Sequence, residues 1–136
     1  MSEEELEDLN DKDDDEEFFS IQLKHEQYRP GESVEGNVQW KFPEAAETIS
    51  VRLLLETTAN WNSQKIYAAG LQWKQLPASG VCNFSLQLPE GPYSFIGKKI
   101  RIDWSVEVEC SGWSYTEEAE FTFSPTGEPL ELKSAK

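Results

Sequence analysis

The chain has 136 residues, with 26 acidic against 12 basic side chains and a formal net charge of −14. That balance argues against nucleic acid, which is bound by neutralising phosphates along a basic stripe. The chain opens on acids and holds no apolar run of leader or spanning length, so neither a secretory leader nor a membrane span is expected and a cytoplasmic location is the default.

The charge is unevenly spread. Residues 1–17 carry eleven acids against Lys12, a net −10, and leave −4 for residues 18–136. A segment so charged and so poor in apolar groups is predicted to be a disordered acidic tail. All sixteen aromatic residues fall between Phe18 and Phe123. The folding unit is therefore read as 18–124, long enough to bury a core without disulfides or metal. Residues 125–136 read as a polar C-terminal strap or tail.

Within 18–124 the dominant signal has period two. Phe19, Ile21 and Leu23 alternate with polar residues, and so do Val34, Gly36, Val38 and Trp40. The same holds for Ile49, Val51, Leu53 and Leu55, then for Cys82, Phe84, Leu86 and Leu88. Ile100, Ile102, Trp104, Val106 and Val108 form the longest run, followed by Ala119, Phe121 and Phe123. Successive strand side chains point to opposite faces, so each run predicts a strand with one buried and one wet face. Two shorter β-like pieces lie around 65–68 and 71–75. Turn residues separate the runs, notably Arg29-Pro30-Gly31-Glu32, which suits a type II turn with positive φ at Gly31. No stretch shows helical apolar spacing with caps. The expectation is an all-β, antiparallel, immunoglobulin-like sandwich of seven or eight strands.

Two blocks resemble a known family. Tyr28-Arg29-Pro30-Gly31-Glu32-Ser33-Val34-Glu35-Gly36-Asn37-Val38 is similar to the opening of arrestin-type domains. Phe84-Ser85-Leu86-Gln87-Leu88-Pro89, then Pro92-Tyr93-Ser94-Phe95, then the alternating strand from Ile100 to Val108 look like a second arrestin hallmark, in the right order and separation. The resemblance implies a single-domain arrestin-like fold and a general adaptor role. The chain departs from receptor-binding arrestins in placing Asp13-Asp14-Asp15-Glu16-Glu17 before its first strand, where those proteins carry a basic pair.

Candidate chemistry is sparse. A lone histidine, His25, removes His-based triads and multi-His metal sites. Glu107 with Glu109, and Glu118 with Glu120, read as wet strand faces rather than a catalytic pair. The acids of 11–17 lack the glycine and spacing of an EF-hand loop. No catalytic residue, cofactor or metal site is expected. Lys98, Lys99 and Arg101 read as a solvated basic face. Cys82 and Cys110 have core parity at one end of the sandwich, either as an inter-sheet disulfide or, the favoured reading, as two buried thiols.

Aromatic residues are the better candidates for partner binding. Trp61, Tyr67 and Trp73 lie in the least regular stretch and Trp113 at a hairpin tip; the competing reading is that they cap the core. Trp40 and Trp104 have inward parity. Phe18 breaks the alternation of the first strand, 18–24, and is expected to stand exposed on an edge that receives a partner strand. The chain is thus read as a non-catalytic protein-interaction module, its partner not legible. The alternatives are a carbohydrate-binding sandwich using Trp61, Tyr67, Trp73 and Trp113, and, more remotely, an enzyme with a carboxylate-only site.

Overall fold

The computed structural model describes residues 16–112 and 115–131. Ten strands run along them: β1 (Phe18–Leu23), β2 (Gln27–Tyr28), β3 (Ser33–Lys41), β4 (Ala46–Ala59), β5 (Asn62–Leu76), β6 (Ser79–Gln87), β7 (Phe95–Ile96), β8 (Ile100–Ser111), β9 (Tyr115–Phe123) and β10 (Leu130–Glu131). They form two packed sheets. The smaller has the order β1-β3-β6 and is antiparallel throughout. The larger runs β10-β7-β8-β4-β5, and β9 shares the edge of β8 with β7 and carries β2 beyond it. The β-sandwich expected from period two is the observed fold. Two of its pairings, β2 with β9 and β10 with β7, are parallel rather than antiparallel.

The alternation translates directly into burial. Along β3, Val34, Gly36, Val38 and Trp40 are buried and the residues between them are half-exposed. Ile49, Val51, Leu53 and Leu55 of β4 meet them from the other sheet, with Trp104, Val106 and Val108 of β8 beside them. Both buried indoles find a partner. Trp40 Nε1 donates to the Pro77 carbonyl at 2.9 Å, and Trp104 Nε1 to the Pro92 carbonyl at 2.8 Å. Burying those N–H groups unpaired would forfeit much of what ring burial contributes.

The two resemblance blocks perform definite work. Gly31 has φ 88°, and the Glu32 N–H donates to the Arg29 carbonyl at 3.1 Å, closing the expected turn. Tyr28 is buried, and its hydroxyl donates to the Glu35 carbonyl at 3.1 Å. Gly36 is a site of close approach. A Cβ there would lie 2.2 Å from the Gln22 carbonyl oxygen and 3.0 Å from the Phe84 ring. Ser94, inside the Pro-x-Ser-Phe loop, is buried; its hydroxyl accepts from the Phe123 N–H at 2.9 Å and its carbonyl from Leu130 at 2.9 Å. One serine therefore fastens the loop, the end of β9 and the strap over 125–131, which ends as β10 on β7.

The stretch read as two short pieces is one strand. β5 pairs with β4 from Asn62 to Leu76, but the register slips at Leu53/Leu54, where Ala69 faces Leu53 and Tyr67 faces Leu54. Ala68 is the extra residue of a β-bulge. A bulge reverses the parity of everything beyond it, which is why no single alternation spans the strand. The acidic tail falls on residues 1–17, of which 1–15 lie outside the described residues.

Candidate functional site

The β4–β5 hairpin carries most of the surface on which partner-binding residues were expected. Ala59 pairs with Asn62, leaving Asn60 and Trp61 as a two-residue loop with φ 52° and 72°. Positive φ at both positions is the type I′ turn that fits strand twist, and it normally selects Asn followed by Gly. Here a tryptophan takes the glycine's place. Its side chain is 99% exposed.

The candidate aromatics are not gathered together. Trp61 stands at the hairpin apex. Tyr67 lies on the outer face of the larger sheet, where its hydroxyl donates to Glu107 at 3.1 Å and the Arg52 guanidinium lies 5.1 Å over its ring. Trp73 faces the opposite way, paired with Ile49 and packed against the core. The bulge at Ala68 is what separates these two rings. Phe18 starts β1 at the far end of the molecule, 43% exposed, while Phe19 beside it is buried. Trp113 lies outside the described residues. Trp61, Tyr67 and Trp73 therefore form no common platform of the kind a sugar ring stacks on.

Two groupings were not legible from spacing. The first is a polar network over the larger sheet. Arg52 is ion-paired with Glu107 at 3.7 Å and also with Glu109, Tyr67 joins it through Glu107, and Ser105 Oγ donates to Glu118 at 2.5 Å. Leu54, opposite Tyr67 and Ser105, is fully buried although its parity is outward. Cross-strand register, with Glu107 opposite Arg52 and Glu118 opposite Glu107, is what assembles the network. The second grouping joins the apex to the basic cluster. Thr58, Asn60, Trp61, Lys98, Lys99 and Arg101 line one open depression.

Edges complete the surface. β5 is hydrogen-bonded to β4 alone along its fifteen residues, has no proline, and exposes Ile66 and Tyr67 by about half. β1 pairs only with β3 and is six residues long. Cys82 is half-buried and Cys110 buried, and both are free thiols. Burial raises both pKa values, and the nearby charge of Glu47 raises that of Cys110 further. Among the described residues no three His, Cys, Asp or Glu side chains group so as to hold a metal ion, and no helix is long and apolar enough to cross a membrane.

No protein-family model matches the chain, and no curated protein matches it by sequence. Among solved structures the chain is similar to the crystal structure of Spo0M, a sporulation control protein from Bacillus subtilis. The TM-score is 0.59 at 17% identity, over 79% of this chain and 49% of that one. The chain thus spans about half the length of the structure it matches. At this identity the likeness is one of fold, and Spo0M's fold is arrestin-like. The resemblance seen in residues 28–38 and 84–108 is supported at the level of architecture.

Proposed function

We propose that the chain is a non-catalytic, arrestin-like interaction module that receives a protein partner by strand addition along β5. The observation that carries this reading is the open edge: fifteen residues bonded on one side only. Proteins normally block such an edge with proline, inward charge or a very short strand, because unpaired N–H and C=O groups template pairing. β5 retains only a bulge, Lys65 and Lys74 as partial guards. A partner strand would gain main-chain hydrogen bonds from the edge and specificity from alternate side chains such as Ile66. The fold of Spo0M is compatible with an adaptor and says nothing of the partner.

The test uses the full chain. Proteins retained by it are identified, then each is mixed with it in purified form while hydrogen exchange is followed. Strand addition requires slowed exchange in residues 62–76, and Ile66→Lys with Ala68→Lys should weaken binding at least tenfold while the fold persists. Partners that bind the double variant with unchanged affinity, or that protect only other strands, would refute the assignment of β5.

A further inference from the structure

The apex of the β4–β5 hairpin combines three features that neither core packing nor strand addition explains. First, Trp61 occupies a left-handed backbone position, φ 72°, where glycine is the easy residue and a bulky side chain is strained. Strain of this kind persists where something outside local stability maintains it. Second, the indole is 99% exposed, so no part of the domain uses it. Third, Lys98 and Lys99 flank the same depression and have no ion pair among the described residues, while Arg101 is held by Asp103 at 3.0 Å. Ile96 and Ile100, 40% and 50% exposed, stand at the same end, because the hydrophobic core supplied by β4 stops at Leu55.

We infer that this apex docks peripherally on an anionic phospholipid surface, Trp61 entering the interfacial layer and Lys98 and Lys99 meeting the headgroups. The shape favours a bilayer over a peptide. The depression beside Trp61 is open and lined largely by polar and cationic side chains, whereas a fully exposed tryptophan at a hairpin tip matches the headgroup level where indoles concentrate. Apolar groups ringed by lysines are the pattern that binds negatively charged leaflets, each cation contributing about a fivefold gain near the surface.

The described acids that precede β1, Glu16 and Glu17, do not oppose this. The chain enters β1 at the other pole: Phe19 packs on Tyr115, which pairs with Cys110, whereas the apex adjoins Ile100. Ten residues of β8 at roughly 3.3 Å each put about 33 Å between the two poles. That distance is several screening lengths, the Debye length being about 8 Å at physiological salt. Glu56, Asp103 and the exposed Glu131, which sits opposite Ile96, are the nearer acids, and Lys98 with Lys99 outnumber Glu131. Asp103 is neutralised by Arg101, and Glu56 accepts from Ser63 and faces Lys65 across the hairpin.

The experiment is flotation of the full chain with vesicles of phosphatidylcholine alone, or with about one-third phosphatidylserine, with brominated lipid as a fluorescence quencher. Binding is expected only to the anionic vesicles, weakening as salt rises, with quenching of an exposed tryptophan. Trp61→Gly should reduce binding at least tenfold with the melting temperature unchanged or raised, so loss of binding cannot be laid to misfolding. Lys98→Glu with Lys99→Glu should reduce it by a similar factor, and Trp61→Phe should retain part of it. Failure of the full chain to float with anionic vesicles, or equal flotation by Trp61→Gly, would overturn the inference. A purified protein bound through Trp61 without lipid, in a chain that ignores vesicles, would overturn it in favour of a socketed protein contact.

Discussion

Both poles of this sandwich are aromatic, and they use their rings in opposite ways. At one pole Phe19, Phe42 and Tyr115 close over the core, Phe42 and Tyr115 stacked at 5.4 Å and Phe19 tilted against both at about 6 Å. At the other pole Trp61 stands alone in water and Ile96 and Ile100 are uncovered. The difference lies in what faces the larger sheet. β1 and the residue just past β3 reach the first pole and supply Phe19 and Phe42. At the second pole β4, β5 and β8 run on past the last buried residues of the smaller sheet. An aromatic residue is therefore structural or available according to whether a second layer reaches it, and its type alone decides neither.

Ring deletions provide the sharpest way to break this contrast. Trp104 sits at the middle of the molecule, fully buried and hydrogen-bonded, so Trp104→Ala should cost about 3–5 kcal/mol and leave little net stability. Chemical denaturation measures the loss, and a loss below about 1 kcal/mol would refute the packing described. At the closed pole Phe42→Ala should cost about 3 kcal/mol, since it opens a cavity against the Phe19 and Tyr115 rings. At the open pole the sign should reverse. Trp61→Gly relieves about 1–2 kcal/mol of left-handed strain and loses roughly 0.4–1 kcal/mol through a more flexible unfolded chain. A net gain of about 0.5 kcal/mol, or a rise of roughly 2 °C in Tm, is the expected result; a clear loss would mean that Trp61 packs on the domain.

The thiols sharpen the contrast more gently. Burial holds the folded pKa of Cys110, and less completely Cys82, above the ordinary thiol value. The folded state then keeps protons that the unfolded state gives up. The stability they contribute is present below the ordinary thiol pKa and is lost as pH rises through the raised folded values. Unfolding midpoints should fall above about pH 9 and fall less in a Cys110→Ala chain. Thiol titration of the folded protein at neutral pH should label Cys82 ahead of Cys110.

The sequence made the middle of the domain legible and its periphery much less so. Val34, Val38, Trp40, Trp104, Val106 and Val108 could be placed inward from alternation because each sits in a regular ladder with a dry face. Phe18 and Phe19 were separated correctly by the same parity. The strands β2, β7 and β10, two residues each, show no period at all and exist because distant segments pair with them. In β5 the bulge at Ala68 disguised one long strand as two and placed Tyr67 and Trp73 on opposite faces, which no fixed period anticipates. Lys98 and Lys99 read reasonably as a solvated patch. Their position beside Trp61 follows from the register of β8 on β4, a non-local fact.

The path of the chain through the two poles also has a mechanical side. It enters β1 at Phe18, beside the closed pole, and its last described strand, β10, ends at Glu131 opposite Ile96, beside the open one. A tether pulling on the two ends would therefore load the strands along their length, in shear, rather than unzip them one bond at a time. The load would not be shared equally, because six residue pairs join β1 to β3 and only two join β10 to β7. The strap would slip first, freeing the Ser94 carbonyl and slackening the clamp on β9, while the sandwich behind it still held.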